Sequence, residues 1–402
     1  MACDLCSKSF VRARDFRVHM KGSAHAAALA AADERAALRA AAAAALARKT
    51  KLREQLTDVA RHYTTRLHRG LVSVPSESPA AADGLAAAVA SHYATSRPRK
   101  HILRLRKALL GLAVETVAIL FPAAELEVYG SIPLRLDSES SDIDVSIISD
   151  EDETLLLSTI ADGVEALGLS SVTVARTLTA RIPLITIADS LSSLELDLSI
   201  WKLDKLEINK VFTTYLSLDA RIPPLLFAIR SWAKARNINN AYTGTINSFG
   251  LTVLGIAFLQ SSGVVPVIEE LPEVEAELAT AAAAGPVANA SHERIAAADH
   301  ASAATPAADE DLGSMLVAFF EWLAAFDYDA HRISIRHGGV TSKEAHKFDD
   351  DTVFVIERPR TPYQNVTRQV SPDSLRRLVY EFRRARDILS AGGSLVQLLA
   401  SD

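Results

Sequence analysis

Cysteine is nearly absent from this chain of 402 residues, which has two, both within the first six positions. So few cysteines exclude a disulfide framework. No run of about 18 uninterrupted apolar residues occurs, which argues against a transmembrane helix. Acidic residues (49) outnumber basic residues (43). The net charge of −6 therefore gives no global attraction to nucleic acid, and such a partner would need local basic patches.

The rest of the composition is that of a folded globular protein. Apolar residues make up 49% of the chain and charged residues 23%, which excludes an intrinsically disordered chain. The length favours two or three domains. The first residues, MACDLCSKSF, lack the apolar stretch of a secretory signal. We therefore expect a reducing compartment, either the nucleus or the cytoplasm, and no membrane partner.

Both cysteines belong to a compact pattern, Cys3-x2-Cys6-x12-His19-x5-His25. Two thiolates and two imidazoles form a closed tetrahedral zinc site, so these four residues are the predicted Zn²⁺ ligands. The pattern resembles a C2H2 zinc finger over residues 1–25, and its wide histidine spacing is similar to a variant of RNA-binding fingers. This segment has five basic and two acidic residues, which favours contact with RNA phosphates. A protein partner for the finger is the alternative.

A second pattern places carboxylates after a Gly-Ser turn, in YGSIPLRLDSESSDIDVSI. Gly130 and Ser131 end one predicted strand. Asp142 and Asp144 lie two positions apart on the next, so their carboxylates face the same side. Such a pair is what a two-metal phosphoryl-transfer site requires, because Mg²⁺ prefers oxygen ligands and keeps substrate phosphate oxygens in its shell. Asp142 and Asp144 are therefore predicted to be catalytic ligands of Mg²⁺ or Mn²⁺.

A third carboxylate is expected on a neighbouring strand. The segment LELDLSI, residues 194–200, alternates as a strand does, and Asp197 lies between two leucines. Glu195 shares a face with Asp197, so the pattern alone leaves both residues open. We take Asp197 as the third catalytic residue and metal ligand.

The Gly-Ser turn followed by Asp-x-Asp resembles the nucleotidyltransferase signature, and two further segments agree with it in order. Residues 209–260 look like the central helical region of noncanonical poly(A) polymerases and terminal uridylyltransferases, and residues 354–371 are similar to their PAP-associated segment. The resemblance covers roughly residues 95–270 and 311–390. It implies an α+β fold: a nucleotidyltransferase palm, with a small mixed sheet and helices, packs on a helical PAP-associated domain and binds a nucleotide in the cleft between them.

The expected domain organisation combines this resemblance with the finger. Residues 26–94 are predicted to form an alanine-rich helix and a linker, and residues 95–205 the catalytic domain. The helical domain is expected over residues 206–271 and 311–395. Residues 272–310 are rich in Ala, Glu, Pro and Ser and are predicted to be a disordered insertion.

The resemblance also implies a phosphate-binding set. Gly130 and Ser131 are expected at a helix start, where backbone N–H groups and a hydroxyl hold a triphosphate. Arg230 and Lys234 are four residues apart and share a helix face. Ser248 matches a phosphate-contacting serine of the family.

For the nucleoside, the resemblance implies that Phe249 stacks on the base and that Asn209 contacts the ribose. Gln364 and Asn365 belong to the loop that influences base choice, and its length is that of the uridylyl-type members. Gln364 replaces their histidine, and a glutamine amide can donate and accept hydrogen bonds to either base. Arg358 replaces a usual acidic residue. We expect UTP to be favoured over ATP.

These features predict a template-independent enzyme that adds nucleotides, UMP in preference to AMP, to RNA 3′ ends. Two basic segments, residues 97–107 and 376–386, are predicted RNA-binding faces, with solvated helix faces as the alternative. Three other functions stay open: a poly(A) polymerase that uses ATP, a catalytically inactive RNA-binding scaffold with a zinc finger, and a nucleotidyltransferase that acts on a small molecule or a protein.

Overall fold

The computed structural model describes residues 1–71, 84–180, 182–200, 203–267, 310–345, 353–359 and 364–400. The chain divides into two compact units, Met1–His62 and Tyr63–Asp402. Residues 272–309 of the expected insertion lie outside the described residues, and Glu310 begins a helix.

The first unit begins with a small ββα fold, as expected. Strand β1 (Ala2–Cys3) pairs antiparallel with β2 (Lys8–Ser9), and helix α1 (Ala13–Lys21) follows. Helix α2 (Ser23–Leu71) then continues through the alanine-rich segment. Alanine has the highest helix propensity, which explains why this segment is helical although few of its side chains are buried.

The second unit contains a mixed five-stranded sheet in the described residues. Its strands are β3 (Glu125–Tyr129), β4 (Ile143–Ile148), β5 (Val172–Thr177), β6 (Leu184–Asp189) and β7 (Leu194–Ile200). The order is β3-β4-β7-β6-β5. Strands β4 and β7 run parallel and all other neighbours run antiparallel. Helices α4 (Lys100–Leu120) and α5 (Glu153–Glu165) share a core with the sheet. The alternation in β4 buries Ile143, Val145 and Ile147 in this core, which leaves Asp144 on the opposite face.

The other part of this unit is largely helical, as expected. Its helices are α3 (Leu85–Ser96), α6 (Leu203–Leu218), α7 (Ile222–Ala235), α8 (Ser248–Ser261), α9 (Glu310–Ala325), α10 (Pro372–Ser390) and α11 (Leu395–Leu399). A hairpin of β8 (His331–Ser334) and β9 (Gly339–Ser342) accompanies them. Trp232 is fully buried between Phe320 and Phe382, at 4.7 and 5.8 Å between ring centroids. These aromatic contacts join α7, α9 and α10 in one core.

The segment expected to be a helix and a linker, residues 26–94, contributes to both cores. Tyr63 and Leu67, near the end of α2, are buried with the sheet and α4. Val89 and Tyr93, on α3, are buried in the helical core. Among the helices of the described residues, none combines the length and the apolar character that crossing a membrane requires.

Candidate active site

Two of the predicted catalytic carboxylates lie side by side on adjacent strands. Asp144 on β4 pairs directly with Asp197 on β7 in the parallel register. Tyr129 pairs with Asp144 on one side, and Thr186 pairs with Asp197 on the other. Paired residues on neighbouring strands project to the same face of a sheet. The register therefore sets four polar side chains in a row across the sheet.

Asp142 joins this row from the residue before β4. Burial, Asp197 and Glu195 raise the pKa of the Asp142 carboxyl, and Lys234 and Arg106 lower it. Like charges gathered on one face disfavour ionisation unless a cation is bound between them. Glu195 is exposed and pairs with Ala188. Of the two candidates that the sequence leaves open, Asp197 is the one opposite Asp144.

Tyr129 stands beside the carboxylates at the edge of the row. Its hydroxyl lies 3.3 Å from Ser199 Oγ. Burial and the charges of Asp144 and Asp197 raise the pKa of Tyr129 to about 12, so the phenol stays protonated at neutral pH. The sequence reasoning missed this residue, although it directly precedes the Gly-Ser turn.

Gly130 is required by its conformation and by its surroundings. Its φ is +76°, and a side chain there would collide with the Asp144 carboxylate. Its N–H donates to Asn209 Oδ1 at 3.2 Å, which places the predicted ribose contact beside the turn. The sequence predicts a helix start at Ser131, but the structure has a turn there. In this turn the Leu136 N–H donates to the Ser131 carbonyl at 3.0 Å. Arg135 has φ +57°, a left-handed conformation that a right-handed helix starting at Ser131 would not contain.

The loop from Asp137 to Ser141, which leads into Asp142, is held by arginines of the basic segment 97–107. Arg106 is buried and donates to Asp137 and to the backbone carbonyls of Ser138 and Ser141. Arg97 also binds Asp137, and Arg99 binds Glu139. Half of the basic residues in a segment expected to contact RNA therefore position this loop. Three others are exposed: Lys100, Arg104 and Lys107.

Three predicted phosphate ligands face the carboxylates from the helical part. Arg230 and Lys234 lie on α7, and Ser248 is the first residue of α8. Burial lowers the pKa of Arg230 to about 10, so the guanidinium keeps its charge at neutral pH. Lys234 is exposed, with Nζ 3.5 Å from Ser140 Oγ. Ser248 Oγ lies 3.0 Å from Asn239 Nδ2.

A cleft of about 990 Å³ connects these groups. It is lined by Gly130, Ser131, the three aspartates, Asn209, Arg230, Lys234, Ser248 and Phe249. The walls come from the sheet face that carries Asp144 and Asp197 on one side and from α6, α7 and α8 on the other. Nearly all of the predicted nucleotide-binding residues therefore surround one cavity.

Two of the predicted base-side residues, Gln364 and Asn365, are not among the described residues that line the cleft. Asn365 is buried, and its amide group bonds with the backbone of Ile356, Phe354 and Thr367 at 2.9 to 3.1 Å. Its hydrogen bonds stabilise the segment and do not point to a ligand.

Two arginines lie on this side of the cleft. Arg358 and Arg368 line the cleft. The guanidinium carbon of Arg358 lies 5.6 Å from the centroid of the Phe249 ring, and Phe249 packs against Phe212 at 5.4 Å between centroids. The backbone N–H of Arg358 donates to the Gln364 carbonyl at 2.9 Å, while the Gln364 side chain is exposed. The sequence analysis singled out Arg358, because it replaces a usual acidic residue of the family, but it missed Arg368.

Two family models match this chain. Residues 85–217 match the central palm domain of mitochondrial-like poly(A) RNA polymerases, and residues 311–364 match the PAP-associated domain of the Cid1 family of poly(A) polymerases. These two matched domains support the resemblance of this chain to the noncanonical poly(A) polymerases and terminal uridylyltransferases. The resemblance in the sequence motifs is thereby confirmed.

Relatives in this family include both kinds of transferase. Poly(A) RNA polymerase cid13 of Schizosaccharomyces pombe is 28% identical over 269 residues, which are 65% of this chain and 45% of that protein. The mitochondrial poly(A) RNA polymerase of Mus musculus is 25% identical, over 69% of this chain and 51% of its own length. Terminal uridylyltransferase cid1 of S. pombe is 28% identical over 34% of this chain and 35% of its own length. The chain thus spans about half the length of the first two relatives.

Solved structures of this family share the fold. A crystal structure of mtPAP in complex with UTP superposes with a TM-score of 0.61 over 82% of this chain and 79% of that chain, at 18% identity. A cytoplasmic RNA terminal U-transferase superposes with a TM-score of 0.60 over 78% of this chain and 97% of that chain, at 22% identity. The expected α+β fold is therefore confirmed.

The N-terminal cluster lies before the matched family domains. The ligand atoms of Cys3, Cys6, His19 and His25 all fall within 4.8 Å of one another. His25 Nδ1 lies 3.5 Å from each cysteine sulfur. The buried Nε2 atom of His19 has no hydrogen-bond partner in the described part of the chain. Two sulfur and two nitrogen donors around a common point fit a tetrahedral Zn²⁺ ion.

Proposed function

We propose that this chain is a template-independent RNA 3′-terminal nucleotidyltransferase that adds UMP in preference to AMP. One observation carries the proposal: Asp144 and Asp197 are paired across β4 and β7 beside Asp142, and they line a cleft together with the cationic side chains of Arg230 and Lys234. Carboxylates on one wall and cations on the other suit a nucleoside triphosphate with its divalent cations.

The donor set fits Mg²⁺ or Mn²⁺. The three aspartates offer only oxygen atoms, and a side chain at position 130 would stand 2.3 Å from Asp144 Oδ2, so the glycine keeps room beside this carboxylate. Two cations held by Asp142, Asp144 and Asp197 would stabilise the charge on the attacking and leaving oxygens. We assign no other role to them.

The side chains of the chain itself perform the remaining steps in this proposal. Arg230, Lys234, Ser131 and Ser248 hold the β- and γ-phosphates, so that the α-phosphorus faces the carboxylates. The RNA 3′-hydroxyl attacks this phosphorus in line, its proton passes to Asp197, and pyrophosphate leaves. No template is needed, because the walls of the cleft select the base.

The preference for UMP rests on the arginine next to the stacking ring. A guanidinium donates hydrogen bonds and accepts none. Uracil presents carbonyl oxygens to such donors, whereas the exocyclic amino group of adenine opposes them. Arg358 lies over the Phe249 ring and lines the cleft, and Arg368 lines it too. The length of the loop before Asn365 supports the same preference.

An extension assay tests the proposal. A 5′-labelled single-stranded RNA is incubated with the protein, Mg²⁺ or Mn²⁺, and each of the four triphosphates separately. We expect extension with UTP to exceed that with ATP, and Asp142→Ala to abolish both. Arg358→Ala is expected to reduce the UTP to ATP ratio by roughly 5- to 160-fold, the size of a base contact worth about 1–3 kcal/mol.

A poly(A) polymerase is the second candidate, because the relatives matched over most of this chain carry that name. Preference for ATP in the same assay would establish it and refute the role of Arg358. No extension with any triphosphate and several RNAs would favour the inactive scaffold.

We further propose that Cys3, Cys6, His19 and His25 bind Zn²⁺ and that the resulting finger contacts RNA phosphates. The support is the convergence of four ligand atoms and the excess of basic residues in the first 25 positions. Deleting residues 1–25 is expected to weaken RNA binding with little change in the KM for the triphosphate. Unchanged RNA binding would favour a protein partner.

A further inference from the structure

Thr186 lies next to Asp197 in the row of polar side chains across the sheet. It pairs with Asp197 in the antiparallel register of β6 and β7, and its Oγ1 donates to Asp197 Oδ1 at 2.6 Å. Asp197 lines the cleft, whereas Thr186 is half-buried and does not belong to the lining of the cleft among the described residues. The hydroxyl therefore contacts the carboxylate from the neighbouring strand β6, beside the cleft.

The geometry of this contact constrains the carboxylate. Asp197 has two side-chain torsions, and an oxygen anchored by a hydrogen bond fixes both. The threonine itself is stiff, because its branched Cβ restricts χ1. Its neighbours Ile185 and Ile187 are fully buried on the opposite face, so the strand beneath it cannot shift easily. Oδ1 of Asp197 is thus held by Thr186, while the residue itself lines the cleft.

We propose that Thr186 is a positioning residue for Asp197, holding Oδ1 so that the carboxylate presents a fixed orientation to the divalent cations and to the RNA 3′-hydroxyl. This inference rests on the proposed function. A carboxylate anchored in this way is preorganised, whereas a free one must lose torsional freedom each time a cation binds. Groups behind metal ligands typically change affinity or activity by 10- to 100-fold when they are removed.

The test compares three variants. Thr186→Val keeps the shape and the β-branched side chain but removes the donor. Thr186→Ser keeps the donor and removes the methyl group. Thr173→Val, on the exposed face of the neighbouring strand β5, is the matched control for a lost threonine hydroxyl. For each, kcat and the KM for UTP are measured with saturating RNA, and Mn²⁺ binding without RNA is measured from the EPR signal of free Mn²⁺.

We expect Thr186→Val to lower kcat by about 10- to 100-fold and to weaken Mn²⁺ binding by about tenfold, with the KM for UTP within about twofold of wild type. Thr186→Ser should stay within about threefold of wild type in kcat, because its hydroxyl restores the hydrogen bond. Thr173→Val should match wild type in every measurement.

Two outcomes would overturn the inference. Thr186→Val could keep the wild-type kcat and Mn²⁺ affinity, or Thr186→Ser could lose as much as Thr186→Val, which would assign the effect to methyl packing. If wild-type protein extends no RNA with any triphosphate, the proposed function fails. The Mn²⁺ measurement then decides the positioning role alone: weaker binding by Thr186→Val supports it, and equal binding refutes it.

Discussion

Gly130→Ala should disable the site without unfolding the protein. An alanine Cβ at this position would lie 2.3 Å from Asp144 Oδ2, whereas ordinary contact begins at 3.4 Å. The carboxylate must therefore move by about 1 Å, and a misplacement of that size can lower kcat by about 100-fold. The φ of +76° adds a backbone strain of about 1–2 kcal/mol for a residue with a side chain.

Gly168→Ala separates the two effects. Gly168 has φ +67°, and a Cβ there meets nothing within 4 Å. Both variants should lose about 1–2 kcal/mol of unfolding free energy in a urea titration, but only Gly130→Ala should lose extension activity. Equal activity in the two variants would refute the reasoning, because it would show that the Asp144 carboxylate does not need its present place.

Further predictions concern the loop, the phosphates and the finger. Arg106→Lys should lower the unfolding free energy by about 2 kcal/mol and kcat by about tenfold, since the carbonyls before Asp142 lose a charged donor. Arg104→Lys, on the exposed face of the same helix, is the control. Unchanged values in both variants would contradict the role of Arg106 in holding the loop before Asp142. Lys234→Ala should raise the KM for UTP by about tenfold and leave the KM for RNA unchanged, and equal changes in both would count against a phosphate contact. Cys3→Ser should reduce the bound zinc, measured by mass spectrometry, from about one ion per chain to near zero, while a wild-type protein without zinc would rule out the finger site.

The strands that carry the carboxylates could be predicted from the sequence, because their apolar residues alternate. LELDLSI became β7 with the same bounds. Alternation also leaves Glu195 and Asp197 equivalent, and the choice between them depends on the register with β4, which is a contact between distant segments.

The residues near the nucleotide base were harder to predict, because their side-chain directions also depend on contacts between distant segments. Spacing along the chain located Gln364 and Asn365 but not the direction of their side chains in an irregular segment. The Asn365 amide bonds inward with the backbone, and the guanidinium of Arg358 reaches the Phe249 ring instead. Arg106 contacts Asp137 across 31 residues of sequence, and Thr186 contacts Asp197 across 11. Patterns of neighbouring residues do not predict such contacts.

The most direct test of the account is a single-turnover extension of labelled RNA with UTP by two matched variants. Asp197→Asn removes the charge opposite Asp144, and Glu195→Gln removes a charge two residues away on the same strand. The account predicts that Asp197→Asn loses extension by at least about 1,000-fold, while Glu195→Gln stays within about threefold of wild type. Comparable rates for the two variants, or full activity of Asp197→Asn, would contradict the claim that the paired aspartates of β4 and β7 form the catalytic centre.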